Sequence, residues 1–431
     1  MIRLRNMDKL KKILVFLIII AFKVSVIGIT AVGAEPVLEY SASEKSKKVH
    51  LEIEAEAAIL IEASTGKVIY DKNAYERYAP ASVTKIMTLL LALEAIDEGK
   101  LRWDERLVVS RNAGEMGGSQ MTLKTGQSVS IEDIIKGIAI VSANDGAVAI
   151  AEYLYGTEQA FVQKMNEKAA ELGMANSNFQ NTSGWPHDNH YTSARDLAVL
   201  SAFAIKTQPG ILNLSSQREF TFNGVTQPNF NPLLDNYEGA DGLKTGWTGK
   251  AGNCFAGTVE RDGLRLISVV LGSPTGSARQ ADTEALMNYG FNDFSFDTVA
   301  YQGDIVGKAA VPNGTDTEVD LVVAENLGAL VPANQDYALK TEVKIKSASA
   351  PITKGDVLGG IIVTNTKGEI LNTTDLVAAA DVERQSYIPN AFGSIRSLSG
   401  SSSGIGTNHL KVSAGFLLWD RSTTVHLGNL I

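Results

Sequence analysis

"PASVTKIMT", residues 80–88, sets a serine and a lysine three positions apart between a proline and a long apolar run. Ser82 is either the cap of a buried helix or a nucleophile with Lys85 as its base. Spacing alone cannot choose, because a Ser-x-x-Lys pair arises by chance about twice in a chain of this length and composition. A second pair indeed stands at Ser64-Thr65-Gly66-Lys67. The surroundings separate them. Ile86, Met87, Leu89, Leu90, Leu91, Leu93 and Ile96 predict a helix from about Ser82 to Glu98 with almost no polar face, which belongs in the middle of a domain. Positions i and i+3 share one helix face, about 5 to 6 Å apart at Cβ. Ser82 would also meet the positive end of the helix dipole, which favours developing negative charge. Taken alone it still reads first as an N-cap, since serine is a preferred cap. Ser64 and Lys67 fall instead on the turn of "AILIEASTGKVIY", residues 58–70, two apolar strands that predict a hairpin.

The 431 residues leave room for two folded domains and an export segment. Residues 1–12 carry five basic side chains against Asp8, and an apolar run follows from Ile13 to Ala34 with Lys23 inside it. Val32 and Ala34 fit a peptidase cleavage site, so residues 1–34 are expected to be a removed signal peptide rather than an uncleaved anchor. Removal would take the formal charge from −9 to −14, which argues against a nucleic-acid partner. The single cysteine, Cys254, has no partner for an internal disulfide or a structural zinc site and reads as a packed core thiol.

Ser130-Ile131-Glu132-Asp133 resembles a capping box, and its helix is expected to end near Ser142-Ala143-Asn144. Further helices are predicted at 158–172 after Thr157 and at 194–205 after Ser193, and a second hairpin at 252–260 and 264–271. Hairpins at both ends of a helical block imply an α+β domain over 50–298, its sheet joining distant parts of the chain. A small β-rich domain is expected at 299–384. A flexible tail then runs over 385–431, where "SLSGSSSGIG" has linker composition. Ile388, Phe392, Ile395 and Leu398 recur at helical spacing, but Gly393 and the serines break the stripe, so weak or no membrane-surface binding is expected there.

A nucleophilic serine needs a base, an oxyanion site and a grip on its substrate. No strand-Gly-x-Ser-x-Gly turn is present, and His187 and His190 lie in the loop-like "WPHDNHYTS", so a histidine triad is not the first reading. A lysine serves as base if burial or a nearby cation keeps its amine neutral. Two more elements bear on this: Ser142-x-Asn144 at a helix end, and Lys244-Thr245-Gly246 just before the second hairpin. Each has a counterpart elsewhere, Ser110-Arg111-Asn112 and Lys124-Thr125-Gly126. Context favours Lys244, because an edge strand there could line a cleft, whereas Lys124 leads into a helix.

The set Ser-x-x-Lys, Ser-x-Asn, Lys-Thr-Gly is a signature of penicillin-binding proteins and β-lactamases. "PASVTKIMT", "VSANDGAVAIAE", "NHYTSARDLA" and "DGLKTGWT" together resemble the serine D-alanyl-D-alanine carboxypeptidases, the low-molecular-mass penicillin-binding proteins. The resemblance spans about residues 55–295, and the β-rich region resembles that family's second domain. It implies a transpeptidase-type fold and a cofactor-free, metal-free peptidase that removes the terminal D-alanine from peptidoglycan stem peptides. Such an enzyme is acylated by β-lactams and placed at the outer face of the cytoplasmic membrane or in the cell-wall space. By the same resemblance Ser82 is the nucleophile, Lys85 its base, Ser142 a proton relay, and Asn144 a hydrogen-bonding partner of the substrate amide. Lys244, Thr245 and Gly246 line the site of the terminal carboxylate. Ser82 and Trp247 supply the two oxyanion N–H groups, and Arg279 aligns with an arginine that grips the carboxylate.

Asp145 and Asp241 read as loop hydrogen-bonders, His187 and His190 as loop residues rather than zinc ligands, and Asp196 as support for its helix start. The rival readings are a β-lactamase-type hydrolase, which needs an added glutamate that the sequence does not identify, and a catalytically silent cell-wall binder or penicillin sensor.

Overall fold

A computed structural model describes residues 51–385 apart from Asn334 and Asp336. The expected signal peptide, the apolar stripe at 388–398 and the rest of the tail lie outside the described residues. Strands Ala57–Glu62 (β1) and Val68–Lys72 (β2) form the first hairpin. The Glu62 carboxylate closes its turn by accepting from the backbone N–H of Ser64 and Thr65, each at 2.7 Å. A 3₁₀ turn, Ala81–Thr84, leads into helix α1, Lys85–Asp97, whose apolar side chains are buried all round. No side-chain cap bond marks the start of either, so Ser82 is not the cap that its residue type suggested.

A helical block follows. It contains Arg106–Val108 (β3) paired with Ser128–Ser130 (β4), a short helix Arg111–Gly114 (α2), and Ile131–Ile140 (α3). Ser130 caps α3 by accepting from Asp133 N–H at 3.2 Å. Asn144–Tyr155 (α4) starts almost at once, where the sequence showed only the end of α3. Glu158–Glu171 (α5) and Ala194–Thr207 (α6) are capped by Thr157 and Ser193 as their spacing predicts, and Gly210–Ser215 (α7) closes the block. Glu219–Phe222 (β5) and Val225–Pro228 (β6) make a small hairpin.

The chain then returns to the main sheet through Ala240–Thr248 (β7), Gly252–Arg261 (β8) and Leu264–Ser273 (β9). The order is β2-β1-β9-β8-β7, all antiparallel, with Ile59 opposite Val269. Side chains alternate across a strand, so β1 serves two cores. Ala57, Ile59 and Ile61 join the helical core, while Ala58 and Leu60 face Leu286 and Met287 of Gly276–Asp293 (α8). Strand β7 is therefore an edge, with alternate backbone groups turned away from β8.

Helix α8 runs directly into Phe294–Ala300 (β10), so β structure begins a few residues ahead of the expected position 299. Five more strands, Ile305–Ala310 (β11), Glu318–Val323 (β12), Leu327–Pro332 (β13), Lys340–Ile345 (β14) and Val357–Thr364 (β15), precede the last, Ile370–Ala378 (β16). They form a sheet ordered β11-β12-β16-β15-β14 and a β10-β13 pair around Leu321, Val323, Leu327, Val363 and Leu376. Among the described residues no helix is long and apolar enough to cross a membrane.

Candidate active site

The turn bearing Ser82 is wedged between two other segments, and both contacts require glycine. A Cβ on Gly246 of β7 would lie 2.9 Å from Ser82 N and from the Pro80 carbonyl oxygen. A Cβ on Gly184, whose φ is +80°, would lie 1.7 Å from the Ala81 carbonyl oxygen. Backbone thus approaches backbone on both sides of the serine. Ala81 itself has φ +47° and Ser142 has φ +59°, values unfavourable for non-glycine residues. Two such conformations flanking one cleft are the strain that functional sites concentrate.

Lys85 is fully buried, with its Nζ 2.8 Å from Ser82 Oγ, 2.7 Å from Asn144 Oδ1 and 2.8 Å from the Ser183 carbonyl oxygen. Burial pushes its pKa well below the ordinary lysine value, Lys244 pushes it further, and Asp145 opposes them. Both conditions for a neutral lysine, burial and a neighbouring cation, are present. Lys244 on β7 is also buried, and its pKa is lowered to about 7 by burial and then by Arg279. Arg279, in the first turn of α8, is itself lowered by burial. Among the described residues its Nε is buried without a partner, while Lys244 Nζ reaches the Thr245 carbonyl at 3.2 Å. Buried cations without a counter-anion are costly, so these two side chains are suited to an anionic partner.

Ser142 lies between α3 and α4, and its buried Oγ has no hydrogen-bond partner among the described residues. Asn144, at the start of α4, is fixed on both sides: its N–H donates to the Ser119 carbonyl at 2.8 Å and its Nδ2 to the Gly117 carbonyl at 2.7 Å. Thr245 is buried beside Lys244, and Trp247, three residues on along the same edge strand, is 66% exposed. The sequence-predicted set therefore falls on three converging elements, the 3₁₀ turn with α1, the α3–α4 junction and edge strand β7, with Arg279 adjoining through its charge.

The alternative motifs do not converge. Ser64 and Lys67 are exposed on the first turn, Ser110 caps α2 by accepting from Ala113 N–H, and Lys124 is exposed. Asp145 is buried in the first turn of α4 and accepts from Met121 N–H at 3.2 Å and Leu123 N–H at 2.9 Å. Asp241 pairs with Arg265 through both oxygens, at 3.0 and 2.8 Å. Asp196 takes the N–H of Asn176 and the hydroxyl of Ser177, so it ties a neighbouring segment to α6.

Sequence reasoning missed two residues. The Ser183 carbonyl is invisible to any reading by side-chain type. His190 is not a mere loop residue: it is buried, 3.0 Å from Thr84 Oγ1, with burial and then His187 lowering its pKa to about 4. Cys254 is packed beneath the site, and burial raises its thiol to about 11.

The antiparallel five-stranded sheet, helical block and second β-rich sheet define the penicillin-binding transpeptidase class of fold. Residues 42–275 match the D-alanyl-D-alanine carboxypeptidase family and residues 294–384 the C-terminal domain of penicillin-binding protein 5. The chain is 36% identical over 356 residues to D-alanyl-D-alanine carboxypeptidase DacF of Bacillus subtilis, covering 81% of this chain and 91% of that protein. The crystal structure of penicillin-binding protein 5 from Haemophilus influenzae superposes with TM-score 0.64 at 31% identity, over 78% of this chain and 99% of that one. Penicillin-binding protein D2 from Listeria monocytogenes in its ampicillin-bound form matches with TM-score 0.53 at 36% identity, over 56% and 100%. The chain belongs to the D-alanyl-D-alanine carboxypeptidase family, and it is a serine-type carboxypeptidase.

Proposed function

We propose that Ser82 attacks the carbonyl between the last two D-alanines of a peptidoglycan stem peptide. The observation that carries this reading is the fully buried Lys85 amine, held 2.8 Å from Ser82 Oγ, with burial and then Lys244 pushing its pKa well below the ordinary lysine value. Lys85 takes the hydroxyl proton as Oγ bonds to the carbonyl carbon, and the resulting oxyanion faces the N–H groups of Ser82 and Trp247. The C–N bond then breaks, the proton passes through Ser142 to the departing D-alanine amine, and an ester on Ser82 remains. Water hydrolyses that ester, and Ser82 recovers its proton. Asn144 steadies the substrate amide, while Lys244, Thr245 and Arg279 receive the terminal carboxylate.

A β-lactam enters the same step as an acylating inhibitor, its strained amide taking the place of the D-alanyl bond. A stem peptide lies outside the cytoplasmic membrane, so this reading goes with export, for which the basic and apolar leader of residues 1–34 is suited. Roles in cell-wall biogenesis and cell shape follow from the same substrate.

The test is intact mass over time after mixing the protein with benzylpenicillin, beside Ser82→Ala and Ser64→Ala, together with D-alanine release from a stem-peptide mimic. A lasting adduct lost in Ser82→Ala alone, with D-alanine released by wild type, is the expected result. Penicillin consumed through a fleeting adduct supports a β-lactamase instead. No adduct and no D-alanine from folded protein defeats the reading.

A further inference from the structure

A neutral lysine amine has two N–H donors and one lone pair. When the Ser82 hydroxyl gives its hydrogen bond to that lone pair, the two N–H groups need two acceptors, and the structure provides two: Asn144 Oδ1 and the Ser183 carbonyl. These acceptors therefore aim the lone pair. Asn144 is held by its own two bonds to residues 117 and 119. The other acceptor belongs to an irregular segment, so something else must fix its direction.

That fixture is the carboxamide of Asn181. Its Oδ1 accepts from Gly184 N–H at 2.8 Å, Trp185 N–H at 2.9 Å and, more weakly, Ser183 N–H at 3.3 Å and Ser183 Oγ at 3.4 Å. Its Nδ2 donates to the Trp185 carbonyl at 2.9 Å. The Ser183 C=O and the Gly184 N–H belong to one planar peptide group and point in opposite directions. Asn181 grips one end of that plane and Lys85 the other. We propose that Asn181 is a positioning residue for the acylation step, orienting the Lys85 amine through the Ser183–Gly184 peptide. The inference rests on the proposed roles of Ser82 and Lys85.

The segment has other attachments, so removing this carboxamide need not unfold it. Thr182 N–H and Oγ1 both donate to Glu158 Oε1, at 3.0 and 2.8 Å, and the Thr182 carbonyl accepts from Thr88 Oγ1 at 2.7 Å. The charged groups acting on Lys85 are Lys244 on β7 and Asp145 on α4, and Asn181 adds no charge to them.

The experiment measures the second-order rate of acylation by benzylpenicillin across pH for wild type, Asn181→Ala and Asn181→Asp, each with its melting temperature. In Asn181→Ala the plateau rate is expected to fall about 10- to 100-fold, the cost of a misplacement of about 1 Å. Its acid limb should move to lower pH, because a carbonyl aimed at the amine favours the ammonium form and that aim is lost. Asn181→Asp keeps an acceptor for Gly184 N–H and should return the plateau to within about threefold of wild type, with an acid limb at or above the wild-type position. An alanine variant within twofold of wild type with an unmoved limb overturns the inference. So does a folded aspartate variant whose plateau stays about tenfold or more below wild type, and this arm decides if the alanine variant does not fold. A wild-type protein that forms no adduct defeats the assignment of Ser82 itself, a different failure from a slow Asn181 variant.

Discussion

The chain contains the same four-residue pattern twice within 22 residues, at 64–67 and 82–85, and the two copies differ in everything but spacing. Ser64 and Lys67 sit in solvent on a turn that the Glu62 carboxylate has already satisfied. Ser82 and Lys85 sit under a helical block and an edge strand, with the amine wholly out of water and touching the hydroxyl. An exposed lysine stays charged at neutral pH and cannot act as a base. A buried one beside a second cation gives up its proton. Burial thus separates a reactive pair from an ordinary turn.

The strongest attempt to break this contrast is Lys85→Arg. It puts a permanent cation where the lysine amine is neutral and cannot take up the serine proton, so acylation by benzylpenicillin should fall by about 10²- to 10⁴-fold, the usual worth of a general base. A rate within tenfold of wild type in that variant would remove Lys85 from the chemistry.

Next in size is a pH effect. Lys244 has its pKa lowered to about 7. Above that pH it loses the charge that would hold a carboxylate, and it also ceases to repel a proton from Lys85. Both changes act in the same direction, so kcat/KM for a D-Ala-D-Ala peptide should fall as pH rises through about 7. Lys244→Arg should carry that alkaline limb upward by at least one pH unit, since guanidinium stays protonated. Coincident profiles for wild type and variant would place the limb on another group.

The smallest effect sharpens the contrast from the other side. Lys67→Met and Lys124→Met should leave acylation within about twofold and stability within about 0.5 kcal/mol, as expected for exposed sites. A loss above tenfold in either would show that an exposed copy takes part.

The sequence revealed most of the scaffold because its signals are local. Thr157, Ser193 and Ser130 cap helices as their types predict, and the hairpins follow their turn residues. Helix α4 was not legible, since its cap position is Ala143, which offers no capping oxygen, directly after a left-handed Ser142. The side chains of the site were legible through their motifs. The Ser183 carbonyl and the carboxamide behind it were not, because neither residue type at that spacing signals chemistry. His190 looked like a loop histidine until burial and its contact with Thr84 placed it beneath the serine turn.

Gly184 and Gly246 have a bearing on heredity as well as on shape. With the nucleophile's turn gripped from both sides by backbone, a side chain at either glycine would meet backbone atoms of residues 80–82, so even the smallest substitution must shift the turn or its neighbour. The indoles of Trp185 and Trp247, 48% and 66% exposed, carry no such constraint, so change that must spare the nucleophile's turn has more room there than at the glycines.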